Sequence, residues 1–386
     1  MTRNMPFGAE RRAEFLLAPG LDHLNHGSYG ATPRAVLAAQ DEWRARLEAN
    51  PSGFFMETLP EALRTAAARV ARAFGGSGED WAFVENATDG VNAVLASFDW
   101  RPGDEVIVTS QVYGAVNQAI RHHASRHGVE VVPLPLPVPF VDADRLLAAA
   151  ERLVTPRTRL AVLDHVTSTG ATVLPVERLT RLYREAGVPV VIDGAHAPGQ
   201  LALDVPAIGG DWYVGNLHKW CFAPKGCAVF WAAPGARESL HPTVISHPYG
   251  QGFPAEFDYV GTRDPTPWLT APAALDWLDA QGAEAVRAHN DTLAREMADM
   301  LARAWGTEIS AAPEHRAAMA TVRLPRAGGG ATDWPSIRAL TRKLIAEHRV
   351  VAPVMVPDGR LWVRISAQIY NEPADYERLV VAGRML

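Results

Sequence analysis

The chain has 386 residues, 48% hydrophobic and 21% charged, with 43 acidic against 37 basic side chains and a formal net charge of −6. This is ordinary soluble globular composition, long enough for two cores. It lacks the basic excess of a nucleic-acid or anionic-membrane partner. Two cysteines, Cys221 and Cys227, are too few for a disulfide framework or a zinc cage, and a reducing, cytoplasmic setting fits. Residues 1–12 are polar with no apolar h-region, so no signal peptide is expected. No apolar run is long enough to span a bilayer.

Helical and strand-like segments alternate along most of the chain, the pattern of a mostly parallel sheet between helices. Residues 34–49 carry apolar positions at helical spacing. Residues 58–74 read as a second helix, stopped by Gly75-Gly76-Ser77-Gly78. Residues 81–84 read as a strand running into Asn86-Ala87-Thr88 and a helix. Free N–H groups at a helix start, with the Thr88 hydroxyl, suit a phosphate; a simple N-cap by Asn86 or Thr88 explains the same residues. A buried strand at 105–108 is followed by Tyr113, where ligands of open α/β sheets bind. The Tyr113 ring can stack on a heterocycle or pack at a rim. A strand at 129–132 leads into Pro133-Leu134-Pro135-Leu136-Pro137, read as an extended connector. The strand at 160–164 is followed by His165, Thr167 and Ser168, which are hydrogen-bonding groups or turn formers. Strands at 188–193 and 228–231 complete the set.

Around residues 265–272 the pattern changes. An amphipathic stretch at 273–305 reads as one long bridging helix. Strands near 320–324 and 361–366 then flank a helix at 334–348, an α+β unit. Gly328-Gly329-Gly330 reads as a short loop. The expected organisation is a joining segment at 1–33, a large domain at 34–270 and a small domain at 271–386.

Two positions carry the chemistry. Asp193 ends an apolar strand in Asp193-Gly194-Ala195-His196, and Lys219 follows in Gly215-Asn216-Leu217-His218-Lys219-Trp220. Pyridoxal phosphate (PLP) chemistry needs such a pair. A lysine amine forms a Schiff base with the cofactor aldehyde, and a carboxylate keeps the pyridine nitrogen protonated. A lone lysine after a strand is ordinarily a surface residue; the pairing argues otherwise. His196 lies three residues after Asp193, yet no further ligands stand at usable spacing, so no metal site is expected. Arg364 sits inside the apolar 361–366 strand, where a guanidinium is costly unless paired. A substrate carboxylate would justify it, and so would a structural salt bridge. Cys221 and Cys227 flank a strand beside bulky apolar residues and read as buried, inert thiols.

Together these segments resemble fold-type I PLP-dependent enzymes of the class V aminotransferase superfamily, isopenicillin N epimerase-like proteins in particular. The resemblance spans residues 21–371. It rests on Leu24-Asn25-His26-Gly27-Ser28-Tyr29-Gly30, Asn86-Ala87-Thr88, His165-Val166-Thr167-Ser168, Asp193-Gly194-Ala195-His196, His218-Lys219 and Val363-Arg364-Ile365-Ser366. It implies that Lys219 carries the cofactor and moves protons at the substrate α-carbon, and that Asp193 pairs with the ring nitrogen. Tyr113 would stack on the ring, and His196 with Ser168 would face its phenolic oxygen. Ala87, Thr88, Asn216 and His218 would hold the phosphate. It further implies a homodimer whose active sites lie at the interface, with Gly261-Thr262 lent by the other subunit. Arg364 would clamp the substrate α-carboxylate, with Asn25, His26 and Tyr29 lining the substrate mouth.

Fold and cofactor do not choose among racemisation, elimination, transamination and decarboxylation. Desulfuration to a persulfide needs a mobile cysteine, and none follows Cys227. Epimerisation needs a second proton donor opposite Lys219, for which Tyr29 and Tyr370 are candidates. A C–S lyase acting on a cysteine conjugate or sulfoxide needs one base and a leaving group. The expectation is therefore an epimerase-like enzyme, with a C–S lyase close behind and an aminotransferase further off. A non-catalytic PLP-binding module is the reading from another class, and a carboxylate clamp at Arg364 argues against it.

Overall fold

A computed structural model describes residues 6–325 and 331–386; Gly328-Gly329-Gly330 lies outside the described residues. The strands are β1 Asp22–His23, β2 Trp81–Val84, β3 Glu105–Thr109, β4 Glu130–Leu134, β5 Thr158–Asp164, β6 Val190–Asp193, β7 Trp212–Asn216, β8 Ala228–Ala232, β9 Met319–Arg323, β10 Val350–Val351, β11 Val354–Met355 and β12 Trp362–Ser366. Seven form the main sheet in the order β2-β8-β7-β6-β5-β3-β4. Strand β8 runs antiparallel to both neighbours, and the other pairings are parallel.

Parallel strands covered on both faces must be apolar throughout, which is why β3, β5 and β6 read as unbroken apolar runs. Their side chains nevertheless divide between two cores with period two. Ile107, Ala161, Leu163, Val190 and Ile192 face one core, with helices Leu59–Phe74, Val176–Glu185 and Ala271–Ala280. Val106, Val108, Leu160, Val162 and Val191 face the other, with helices Ala87–Ser97 and Gly114–His127. A third core joins the later part of helix Ala283–Trp305 to β9, β12 and helix Ala374–Gly383.

Two expectations about elements are corrected. Pro133 and Leu134 belong to β4 rather than to a connector. Strand β4 is the edge of the sheet, where a residue without an N–H is tolerated. The 273–305 stretch is two helices, Ala271–Ala280 and Ala283–Trp305. Gly282 at φ +78° ends the first, its N–H bonded to Asp279 O at 2.9 Å. That left-handed conformation suits a residue without Cβ.

The N-terminal segment threads between the other parts. Strand β1 pairs with β10, Leu24 O accepts the Ser366 N–H at 2.8 Å, and Phe15 packs edge-on to Trp277 and Tyr370. This brings residues 25–30 over the carboxyl ends of the main strands, where open α/β sheets bind ligands. No helix of the described residues is long and apolar enough to cross a membrane.

Candidate active site

Neighbouring strand ends assemble the site. Asp193 ends β6, which pairs in register with β7, and β7 ends at Asn216, three residues before Lys219. The lysine loop is tied down from several sides. The Leu217 and His218 N–H groups donate to Cys227 O at 3.1 and 3.0 Å, and His218 Nδ1 donates to the same oxygen at 3.0 Å. Gly30 lies against the loop at φ +70°, so close that a Cβ there would stand 2.1 Å from His218 O; only glycine fits.

His26 completes the support. Its ring is fully buried between Trp220, Phe222 and Tyr370. Nε2 is 2.9 Å from Lys219 O and Nδ1 is 2.9 Å from Tyr370 Oη. A carbonyl only accepts, so Nε2 carries the proton and Nδ1 accepts from the Tyr370 hydroxyl. Burial holds this imidazole neutral, its pKa lowered to about 3. Both nitrogens are occupied, so the expected substrate contact by His26 gives way to a backbone anchor for Lys219. Tyr370 is likewise buried and committed to His26.

Lys219 is buried, and its Nζ lies 3.3 Å from His196 Nε2. Burial, and then the Arg364 guanidinium, lower the amine to about 7 against the opposing pull of Asp193. The amine is thus poised to exist neutral at ordinary pH. Asp193 is pushed up by burial, held in part by the Ala195 N–H donating to Oδ1 at 3.0 Å and by Lys219. His196 is kept neutral by burial first, and then by the basic groups Lys219, Arg364 and His218 around it. Its Nδ1 is buried without a partner among the described residues, as is Arg364 Nε.

Arg364, on β12, is 1% exposed. Its NH1 donates to Ser168 O at 2.7 Å and Ser168 Oγ at 3.2 Å, and its NH2 to Asn25 Oδ1 at 3.1 Å and Ser28 Oγ at 2.7 Å. All these acceptors are neutral, and no carboxylate pairs with it among the described residues. A buried guanidinium without an anion lacks its strongest partner. Burial lowers it to about 10. The alternative of a structural salt bridge thus finds no carboxylate among the described residues, and an incoming carboxylate would complete the site. Tyr29 and Tyr113 lie close enough to exert charge effects on this group. Tyr29 is 72% exposed and Tyr113 45%.

Of the four expected phosphate residues, Ala87 and Asn216 meet directly. Ala87 N donates to Asn216 Oδ1 at 2.9 Å, joining the start of helix Ala87–Ser97 to the lysine strand. Asn86 caps this helix through the Asp89 N–H, while the Thr88 N–H and hydroxyl have no partner among the described residues. Such a helix start suits an anion. Thr262 stands apart, exposed, with no hydrogen bond to this group among the described residues.

Cys221 and Cys227 are fully buried, with thiols pushed up by burial. Both should stay unreactive toward an aromatic disulfide reagent in the native protein and titrate only after unfolding. Rapid reaction of either in native buffer would contradict their burial. Sequence reading overlooked Asp164. It ends β5 as Asp193 ends β6, so the same cue, an acid closing an apolar strand, pointed to it.

The sheet and a buried lysine–aspartate pair at its carboxyl edge define a fold-type I PLP-dependent enzyme. Residues 28–379 match the aminotransferase class-V model, and the chain belongs to that family. It is 35% identical over 414 residues to the putative L-cysteine desulfhydrase 1 of Oryza sativa subsp. japonica, covering 98% of this chain and 86% of the relative. It is 35% identical over 393 residues to the isopenicillin N epimerase of Streptomyces clavuligerus, covering 97% and 96%. A solved structure of the cystine C-S lyase C-DES with cysteine persulfide superposes at a TM-score of 0.78 with 23% identity, over 95% of this chain and 98% of that one.

Proposed function

We propose that the protein is a PLP-dependent C–S lyase acting at the α-carbon of a cysteine-type amino acid. The observation that carries this reading is a single buried amine, lowered to about 7, beside a buried guanidinium that lacks an anion. Such a pair supplies one base and one carboxylate clamp. A β-elimination needs no more, given a sulfur leaving group.

The residues fit the cofactor. Among the described residues His196 Nδ1 is a buried polar atom without a partner, and the Thr88 N–H lies free at a helix start that suits an anion. Thr88, Ala87, Asn216 and His218 would hold the phosphate, Asp193 the ring nitrogen, His196 the phenolic oxygen, and Tyr113 the ring face. Thr262 is exposed, and in a homodimer it would serve the partner's phosphate. Large and small domains would then lie at 34–270 and 271–386, with the first 33 residues joining them at the substrate mouth. When bound, PLP supplies the electron sink that stabilises negative charge at the α-carbon. Arg364 would orient the substrate through its carboxylate while Asn25, Ser28 and Ser168 hold the guanidinium plane. Lys219, as neutral amine, would take the α-proton and return a proton to the departing sulfur. His26 would keep the Lys219 backbone in place during this transfer.

Isopenicillin N epimerase-like chemistry is the second reading, favoured by the match along 96% of that relative. It requires a second proton donor, and with Tyr370 committed to His26, Tyr29 at the mouth is the residue available. Incubation with L-cysteine and with other amino acids in deuterated water separates the two. Release of pyruvate and sulfide supports the lyase. Recovered amino acid with inverted configuration and deuterium at the α-carbon, with no pyruvate, rejects it in favour of the epimerase.

Catalysis should also follow the charge of Lys219. Below the amine's pKa the ammonium has no lone pair, so kcat should fall about tenfold per pH unit. The break should stand at or somewhat above 7, because a bound carboxylate offsets the Arg364 charge that lowers the amine. A flat kcat from pH 5.5 to 9 would contradict the role of Lys219 as base.

A further inference from the structure

Asp164 and Asp193 are direct register partners on the parallel strands β5 and β6. Side chains at such positions leave the same face of a sheet, on strands about 4.8 Å apart. Both residues are buried. Asp164 accepts a short hydrogen bond from the Thr109 hydroxyl, and the nearby Tyr113 backbone N–H also favours its charged form. No cation pairs with it among the described residues. Thus a carboxyl lies beside that of Asp193, held by the Thr109 hydroxyl and lacking a counter-ion of its own among the described residues. Burial and the neighbouring Asp193 raise its proton affinity, to about 7. Two carboxyls packed this way resist carrying two charges unless a cation joins them.

We propose that Asp164 is a positioning residue that acts through Asp193: its negative charge, steadied by the Thr109 hydroxyl, strengthens the hold of Asp193 on a protonated pyridine nitrogen. The inference rests on the reading of Asp193 as that nitrogen's partner. A cation at the nitrogen relieves the repulsion between the two carboxyls, so the pair favours the protonated ring over the neutral one. Asp164 thereby links the ring nitrogen to the end of β3, since one carboxyl accepts the Thr109 hydroxyl and stands beside Asp193.

The test uses holoenzyme loaded with PLP labelled with nitrogen-15 in the ring. The ring nitrogen's chemical shift reports its protonation directly, and loss of packing alone does not reproduce a shift toward neutral pyridine. Asp164→Asn removes the charge while keeping the shape. It should move the nitrogen toward the neutral form, lowering its proton affinity by about tenfold to a hundredfold, as loss of a charge at this separation in a partly shielded site implies. Thr109→Val, which removes one donor from Asp164, should shift it in the same direction by less, and serves if Asp164→Asn does not fold. Asp193→Asn is the control. If Asp193→Asn shifts the nitrogen while the folded Asp164→Asn and Thr109→Val variants leave it unchanged, this inference falls and the Asp193 reading stands. If Asp193→Asn also leaves the nitrogen unchanged, the Asp193 reading falls and takes the inference with it. A slower Asp164→Asn enzyme with an unchanged nitrogen signal would mean that the residue only supports the Tyr113 loop, and would likewise overturn the proposal.

Discussion

Replacing Lys219 by alanine should reduce turnover by about four orders of magnitude, the upper end for loss of a positioned base. On the proposed reading two roles fall to one amine: attachment of the cofactor and movement of the α-proton. His196 is the adjacent titratable group at 3.3 Å, but burial and neighbouring basic groups keep its proton affinity well below the ordinary histidine range. In the variant the Lys219 charge is gone, but burial, the largest cause, and Arg364 remain, so His196 is still too weak a base to take over. Asp193 and the phosphate residues remain in the variant, so the cofactor should still bind without being covalently held. Borohydride reduction followed by peptide mass analysis checks this cleanly, because the chain contains only three lysines, Lys219, Lys225 and Lys343. The parent protein should carry the added mass at Lys219 and the variant nowhere. An active variant, or mass at Lys225 in the parent, would remove the basis of the site assignment.

The second large effect is expected at Arg364. Truncating one partner of a buried, hydrogen-bonded charge pair costs about 2–5 kcal/mol. Arg364→Ala should therefore lower kcat/KM by roughly 30-fold to several thousand-fold, with most of the loss in KM. Cofactor absorbance should persist, because the guanidinium contacts Ser168, Asn25 and Ser28 and none of the phosphate residues. Arg364→Lys should recover only part of the loss, since an ammonium cannot present two parallel donors. The pH profile adds a signature that packing damage would not produce. Arg364 lowers the proton affinity of Lys219, so removing its charge should move the rising limb of kcat to higher pH, while Arg364→Lys should hold it near its original place. Unchanged KM in a folded Arg364→Ala enzyme would discredit the clamp.

Much of this protein is determined locally. A buried parallel strand must be apolar along its whole length, so β3, β5 and β6 are legible from composition and period alone. Helix Trp334–His348 and helix Arg34–Ala49 likewise follow from spacing, and the aspartate and lysine stand out because one closes such a strand and the other lies three residues past the end of the next. The exceptions have physical causes. Pro133 entered β4 because an edge strand has a spare side. Gln281-Gly282 interrupted a continuous amphipathic pattern because a single left-handed glycine outweighs the periodicity around it.

What required the folded chain is every contact between residues far apart in sequence. His26 and Lys219 are 193 positions apart, and His26 and Tyr370 are 344 apart. Nothing local distinguishes a histidine at the substrate mouth from one buried beneath the lysine carbonyl. Whether Arg364 meets a carboxylate or only neutral oxygens was equally undecided, since its partners come from residues 25, 28 and 168. Asp164 shows the division most plainly. Its position at a strand end is written in the chain, but its meaning depends on register, because charges become coupled through space in a dry interior and that distance is set only when β5 lies against β6.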